Sequence, residues 1–400
     1  DDGGPLRIGA LYPISGPVGT YGADELRGVE TAVELVNADG GIGGAMGGRP
    51  VELIARDVPD LESGWRETHD LVLSERIRLV TGTYSSVVSL ATTQAATDNG
   101  AIYWENGAVA DLVITRRLSN VYRTGPSSAV LAGQALDFLV EEVAPAHGLS
   151  PQDLRLAVVY ENGPYGTGVG QRVEAVASEH GVELVARLPY HPPTEDFTEP
   201  IRTLEETQPN AVIAATYLDD GVGFARRIHD ADLELLALIG KCAAFFTPEF
   251  AAMLDGRAEG LFLSDKPMQV APEALDDGAR EVAERFERAY RSRFGEPNDA
   301  SYTGFAGMWL LLTGVLPRLE RLDAGAFRTA ADALDEPLGA LPNGAGARFA
   351  PQEHPFAGQN LRALGVIWQW QDGRPALVHP RRVATASANF DRGRVGRRTS

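Results

Sequence analysis

Apolar and polar positions along the chain alternate between two periods. Short apolar, β-branched runs predict strands at Val51–Asp57, Arg78–Gly82, Ala101–Glu105, Leu154–Glu161, Val182–Tyr190, Ala211–Tyr217, Leu235–Gly240 and Gly260–Asp265. Between them, apolar positions recur at three- and four-residue spacings. They predict helices over Leu61–Glu75, Val87–Asp98, Ala129–Pro145, Gly168–His180, Phe197–Gln208, Gly221–Ala231 and Pro248–Leu254. Three longer helical patterns follow, Pro272–Phe294, Ser301–Leu322 and Ala324–Leu334. The pattern closes on Leu364–Gln371, an Asp372-Gly373 turn signal and Pro375–His379, which predict an antiparallel hairpin. Strand–helix repetition of this kind predicts an α/β chain with parallel sheets flanked by helices.

The opening stretch, Arg7–Ile42, holds one complete unit of this pattern. A strand-like run ends at Ile14 and empties into a loop punctuated by Gly16, Pro17, Gly19 and Gly22. A helix then places Leu26, Val29, Val33 and Val36 on one face and stops at Gly40-Gly41. Such a loop presents backbone N–H groups at the carboxyl edge of a sheet, where open α/β folds bind small ligands. Pattern alone leaves equal room for glycines that only make turns.

Length and composition narrow the function. A chain of 400 residues is too long for one ordinary core and suits two domains. A net charge of −19 argues against nucleic acid and anionic membrane surfaces as partners. No apolar run approaches the roughly 20 residues of a membrane helix. No leader precedes Asp1, so the chain is either cytosolic or a mature form with its leader removed. Cys242 is the one cysteine, so no internal disulfide forms. The tail from Ser387 is polar and ends in an arginine-rich run, which predicts disorder.

Enzymatic signatures are weak. Gly166-Thr167-Gly168-Val169-Gly170-Gln171 follows a strand and opens a helix, but Gln171 stands where a dinucleotide fingerprint needs glycine or alanine. No nucleophile elbow, HExxH or P-loop lysine motif occurs. The histidines His69, His147, His180, His191, His229, His354 and His379 are scattered without metal-ligand spacing.

Candidate binding residues cluster at strand ends. In Gly82-Thr83-Tyr84-Ser85-Ser86, either serine can cap the following helix, and a capped helix start can hold a carboxylate. Glu105 ends a strand and can accept from an ammonium or amide, or pair with a nearby arginine. Lys241 is one of two lysines, with Lys266, and it too falls at a strand end.

The loop ISGPVGTYG and the phrase Asn37-Ala38-Asp39-Gly40-Gly41-Ile42 resemble the opening of type I periplasmic solute-binding proteins, in the leucine/isoleucine/valine-binding branch serving ABC importers. The resemblance runs from about Leu6 to about Pro380 and is strongest over the first 130 residues. It implies two lobes joined by three hinge crossovers: 6–125 plus 264–363, and 126–263 plus 364–380, with 381–400 a disordered tail. It implies a ligand held between closing lobes. Residue by residue, Ser86 would grip a carboxylate, the Ala108 backbone would hold the polar head, and Tyr21, Tyr165 and Tyr217 would line the cleft. Tyr84 would lie near the head, Ser85 is the other serine that could cap the helix there, and Trp104 and Tyr302 would shape the pocket.

Two positions depart from the family pattern. Ala110 stands where amino-acid binders carry a threonine, and Lys241-Cys242 stands where they carry an acid for the α-ammonium. A lysine repels an ammonium and attracts a carboxylate or carbonyl, unless Glu105, Asp219 or Asp220 supplies the missing charge. The resulting expectation is a non-enzymatic, monomeric, extracytoplasmic receptor, with a lipid anchor left open. It would bind an amino acid or a related carboxylate or amide, need no cofactor or metal, and deliver to an ABC permease. The alternatives are a cytosolic amide or amino-acid sensor of the same fold and, more remotely, a nicotinamide-dependent enzyme.

Overall fold

The computed structural model describes residues 4–231, 233–241 and 243–391. The chain forms two compact units and passes between them three times, after Ser127, Asp265 and Leu364.

The first unit carries five parallel strands: β1 Leu6–Tyr12, β2 Val51–Asp57, β3 Leu79–Gly82, β4 Ile102–Glu105 and β5 Val121–Arg123. Their order is β2-β1-β3-β4-β5. Ile8, Ala10, Leu11 and Tyr12 of β1 are all buried, as expected of a strand covered on both faces. The helix Gly19–Ala38 buries Leu26, Val29, Val33 and Val36, the face its spacing predicts.

Differences from the sequence pattern lie at helix ends and have local causes. The pattern from Pro272 yields a single 3₁₀ turn, and the helix proper starts at Asp277, because Asp276 caps it by accepting from Ala279 N–H at 2.7 Å. The pattern from Ser301 starts earlier, at Asp299, under a reciprocal Asn298–Ser301 cap. Its regular α-helix ends at Leu310 and passes through a wide turn, Leu311–Val315, before Pro317. Strand β5 and the short helix Leu112–Thr115 escape the pattern because each is too brief to show a period.

The second unit carries seven strands: β6 Arg155–Glu161, β7 Glu183–Tyr190, β8 Ala211–Ala215, β9 Ala237–Lys241, β10 Phe262–Asp265, β11 Val366–Gln371 and β12 Arg374–His379. Their order is β12-β11-β10-β9-β8-β6-β7. The run from β10 to β7 is parallel, and β11 and β12 add the expected antiparallel hairpin. Its turn puts Asp372 and Gly373 at φ of 53° and 76°, the left-handed pair for which Asp-Gly is suited.

The expectation of a disordered tail from 381 onward is corrected over Arg381–Asp391. Arg381 forks onto both Glu142 carboxylate oxygens, and Val383 is buried. The Ser387 and Asn389 carbonyls accept from Gln371 and Gln369, and the Phe390 ring packs on Phe138 and Phe262. These anchors lie far away in sequence, so local polarity did not reveal them. The arginine-rich end, 392–400, lies outside the described residues, as does Cys242.

Each sheet has one place where strand order reverses. In the first unit the chain lays β2 on one side of β1 and β3 on the other; in the second it lays β7 on one side of β6 and β8 on the other. At such a reversal the loops leaving the two adjacent strands diverge and open a crevice at the carboxyl edge.

Candidate functional site

The candidate residues of the first unit gather at its reversal. Tyr21 lies in the first turn of the helix that follows β1, and Tyr84 in the loop that follows β3. Their rings stack with centroids 5.4 Å apart and planes 21° apart. Lys266 Nζ sits 4.8 Å from the Tyr84 ring centroid, a cation–π contact from a side chain only 3% exposed. Sequence reasoning did not select Lys266 as a site residue; its rarity among so many arginines was the available signal.

Behind Tyr84, Ser85 caps the helix Ser86–Asp98 by accepting from Val88 N–H at 3.4 Å. The Ser86 hydroxyl accepts from Ala110 N–H at 3.2 Å, which leaves its own hydrogen to donate. Ala108 and Ala110 turn their methyl groups into an apolar cluster with Val113 and Leu90. Their backbone groups are largely committed: Ala108 N–H goes to Glu105, and both carbonyls accept from Arg123, at 3.1 and 2.7 Å. The Ala110 carbonyl also accepts from Val113 N–H at 3.1 Å, so what remains there for a ligand is the second lone pair of the Ala108 carbonyl.

Glu105 plays another part than the ligand acceptor or arginine partner expected. It is fully buried, and its Oε1 accepts from the N–H groups of Thr83 at 2.8 Å and of Gly107 and Ala108 at 3.0 Å each. Its Oε2 accepts from the Ser89 hydroxyl. Burial pushes its carboxyl up to about 7, against the pull of these hydrogen bonds. Gly107 lets the Glu25 carboxyl approach: a Cβ there would stand 1.9 Å from Glu25 Oε2 and force that side chain to shift. Glu25 is itself fully buried and held well above the usual carboxyl range by burial, with Lys266 pulling the other way.

Trp104 and Tyr302 belong to the core rather than to a binding pocket. Trp104 is fully buried among Tyr122, Phe327 and Phe349, and its indole N–H donates to Gly307 O at 2.8 Å. Tyr302 is fully buried against Phe286, with its hydroxyl on Glu287.

The second unit repeats the aromatic pairing at its own reversal. Tyr165 enters the first turn of the helix Pro164–His180, which follows β6. Tyr217 immediately precedes the helix Leu218–Asp230, which follows β8. The two rings lie 6.2 Å apart. Glu161, the last residue of β6, folds back to accept from Gly163 and Gly166 N–H at 2.5 and 2.6 Å. That bond fixes the turn bearing Tyr165, and sequence reasoning passed Glu161 over. Lys241 ends β9 and is fully buried. Asp219 is exposed, whereas Asp220 is buried and accepts from Tyr190 O–H and Thr194 N–H at 3.3 and 2.8 Å. Among the described residues no group of histidine, cysteine or carboxylate side chains could hold a metal ion.

A family model described as "periplasmic binding protein" matches residues 5–367. The chain belongs to this family. The periplasmic binding protein family also accounts for a relative in Brucella abortus, Leu/Ile/Val-binding protein homolog 8. That protein is 31% identical over 388 residues, 96% of this chain and 93% of the relative. Among solved structures, a branched-chain amino acid transporter substrate-binding protein from Streptococcus pneumoniae, in complex with isoleucine, aligns with a TM-score of 0.72. It is 17% identical, over 94% of this chain and 100% of that one. A solute-binding protein of an R. palustris ABC transporter, in complex with benzoate, aligns with a TM-score of 0.72 at 19% identity, over 96% and 98%. At these identities the structures share the fold. The α/β architecture and the family expected from the opening loop are thus borne out.

Ala110 is buried with its methyl in the apolar cluster, and Lys241 is a buried amine at the end of β9. No helix among the described residues is long and apolar enough to cross a membrane.

Proposed function

We propose that this periplasmic binding protein is the solute receptor of an ABC-type importer and that its ligand is a small molecule carrying a carboxylate or carboxamide. The observation that carries this reading is the pair of tyrosines at each sheet reversal, Tyr21 with Tyr84 and Tyr165 with Tyr217. Paired tyrosines offer flat apolar faces to a ligand's body and hydroxyls to its polar end. Ser86 adds a hydroxyl donor at a helix start, where backbone N–H groups and the helix dipole favour an anion. The exposed Asp219 is the acid left nearest Tyr217 in sequence, and one exposed carboxylate is a weak substitute for a buried ammonium partner. Lys241 therefore favours a ligand whose recognised group is a carboxylate or carbonyl rather than an ammonium.

The receptor acts outside the cytoplasm as a monomer, without catalysis and without nucleic acid as a partner. A net charge of −19 supports free diffusion and opposes binding to polyanions.

A thermal-shift screen with matched pairs tests this reading: L-leucine against L-leucinamide, and benzoate against benzamide. A true ligand at a hundredfold excess over its Kd adds about 2.7 kcal/mol of stability. Carboxylates should raise Tm more than their amides, and Lys241→Met should weaken a carboxylate about tenfold while leaving an amide within about twofold. If no small carboxylate or amide shifts Tm, the receptor reading fails.

A further inference from the structure

The Glu105 carboxyl gathers donors from two different loops. Thr83 N–H comes from the loop after β3, which continues directly into Tyr84, Ser85 and Ser86. Gly107 and Ala108 N–H come from the loop after β4, which continues into Ala110. Ser89, on the helix that Ser86 begins, closes the set through its hydroxyl. The same loops meet again at Ser86, whose hydroxyl accepts from Ala110 N–H. No ion pair within 4.0 Å replaces any of these bonds at Glu105 among the described residues. Arg123 reaches the same loop through the Ala108 and Ala110 carbonyls.

We propose that Glu105 is a positioning residue: it never touches the ligand, but it sets the register between the Tyr84–Ser86 loop and the Ala108–Ala110 loop that recognise the ligand's polar head. The assignment of those loops to the head rests on the reading under Proposed function; the clamping of the loops does not. Three N–H donors converge on one oxygen, so the requirement is for an acceptor at Oε1, not for a charge. A carboxamide satisfies it equally: its oxygen accepts from the three N–H groups, and its NH₂ donates to Ser89 Oγ. Alanine leaves all three buried donors without an acceptor, a penalty the loops escape by moving apart.

The test compares Glu105→Ala with Glu105→Gln in the full chain. Residue-resolved amide exchange is read at Thr83, Gly107 and Ala108, with Ala10 in β1 as reference. Glu105→Ala should exchange at least about tenfold faster at the three amides, and Glu105→Gln within about threefold of the parent, with Ala10 unchanged in both. Calorimetric titration with L-leucine and with benzoate, well below the unfolding midpoint, should show the same split in Kd for whichever probe binds. A merely structural role would lower Tm but leave the affinity of the folded fraction unchanged. The proposal is overturned if Glu105→Ala keeps its protection at these amides, if Glu105→Gln loses as much as Glu105→Ala, or if a probe binds Glu105→Ala as tightly as the parent. Should Glu105→Ala not fold, Glu105→Asp takes its place, being one methylene too short to reach all three donors. If neither probe binds the parent, the receptor reading is what fails, and the exchange pattern still decides whether Glu105 clamps the loops.

Discussion

Two strand ends in this molecule carry the same tripeptide after an aromatic residue: Trp104-Glu105-Asn106-Gly107 closing β4, and Tyr160-Glu161-Asn162-Gly163 closing β6. In both, the glutamate folds back and accepts from the glycine N–H two residues on. The neighbourhoods then diverge. Asn106 is buried, donates to Tyr12 O–H and Thr81 Oγ1, and accepts from Thr124. Asn162 is exposed and faces the His191 ring. Glu105 reaches across to the adjacent strand's loop through Thr83, whereas Glu161 serves only its own loop, through Gly163 and Gly166. A local motif therefore fixes a turn, and the neighbouring loop decides whether it also couples two loops. β4 and β6 both lie inside their sheets, but only at β4 does a neighbouring strand's loop turn an N–H, that of Thr83, onto the glutamate.

A second contrast lies between a buried arginine of the first unit and an exposed one of the second, and the largest expected effect is there. Arg123 is fully buried and donates to Gln359 Oε1 at 2.6 Å as well as to the Ala108 and Ala110 carbonyls. Arg123→Met removes charge-assisted bonds from buried acceptors and should cost about 3 kcal/mol in urea unfolding. Arg381, in the other unit, holds Glu142 in a bidentate pair, but its side chain is 81% exposed. Arg381→Ala should leave the urea midpoint nearly unchanged, because water and salt screen an exposed pair. Comparable losses would mean that burial does not separate the two regions.

A smaller effect comes from pH. Burial raises the Glu105 carboxyl from 4.5 to about 7. The folded chain then holds this proton where the unfolded chain has released it. Its contribution to stability is complete below the ordinary glutamate range and is lost as pH rises to about 7, a change on the order of 3 kcal/mol. The proton, when present, sits on Oε2 facing Ser89, because Oε1 is filled by three donors. The groups facing it are Tyr12, Tyr103 and Glu25, all shifted upward by burial, and Arg123, shifted down to about 10. Glu105→Gln should flatten the decline of Tm between pH 5 and 7.5 relative to the parent; parallel pH profiles would contradict the assignment.

Much of the fold was legible because it depends on local periodicity. The strands in both sheets other than β5, and the Asp372-Gly373 hairpin, follow runs of residues visible in the chain. The places of the four tyrosines were legible as well, since each sits where a strand empties into a helix; their role in binding belongs to the proposal. Glu105 was misjudged because a strand-end carboxylate looks the same in sequence whether it faces a ligand or its own backbone; only the positions of Thr83 and Ser89 decide. Trp104 and Tyr302 were misjudged for a related reason, as aromatic residues near a site are as often core. The ordering of Arg381–Asp391 depends on Glu142, Phe138 and Gln369, which no local window contains.

The central claim is that the two sheet reversals hold the ligand-recognising groups. Amide exchange of the parent protein, with and without the solute that gives the largest thermal shift, tests it directly. Bound solute should slow exchange at Tyr84–Ser86 in the first unit and at Tyr165–Thr167 in the second, while the β11–β12 hairpin stays unchanged. Slowed exchange confined to other segments, or to neither reversal, would contradict it.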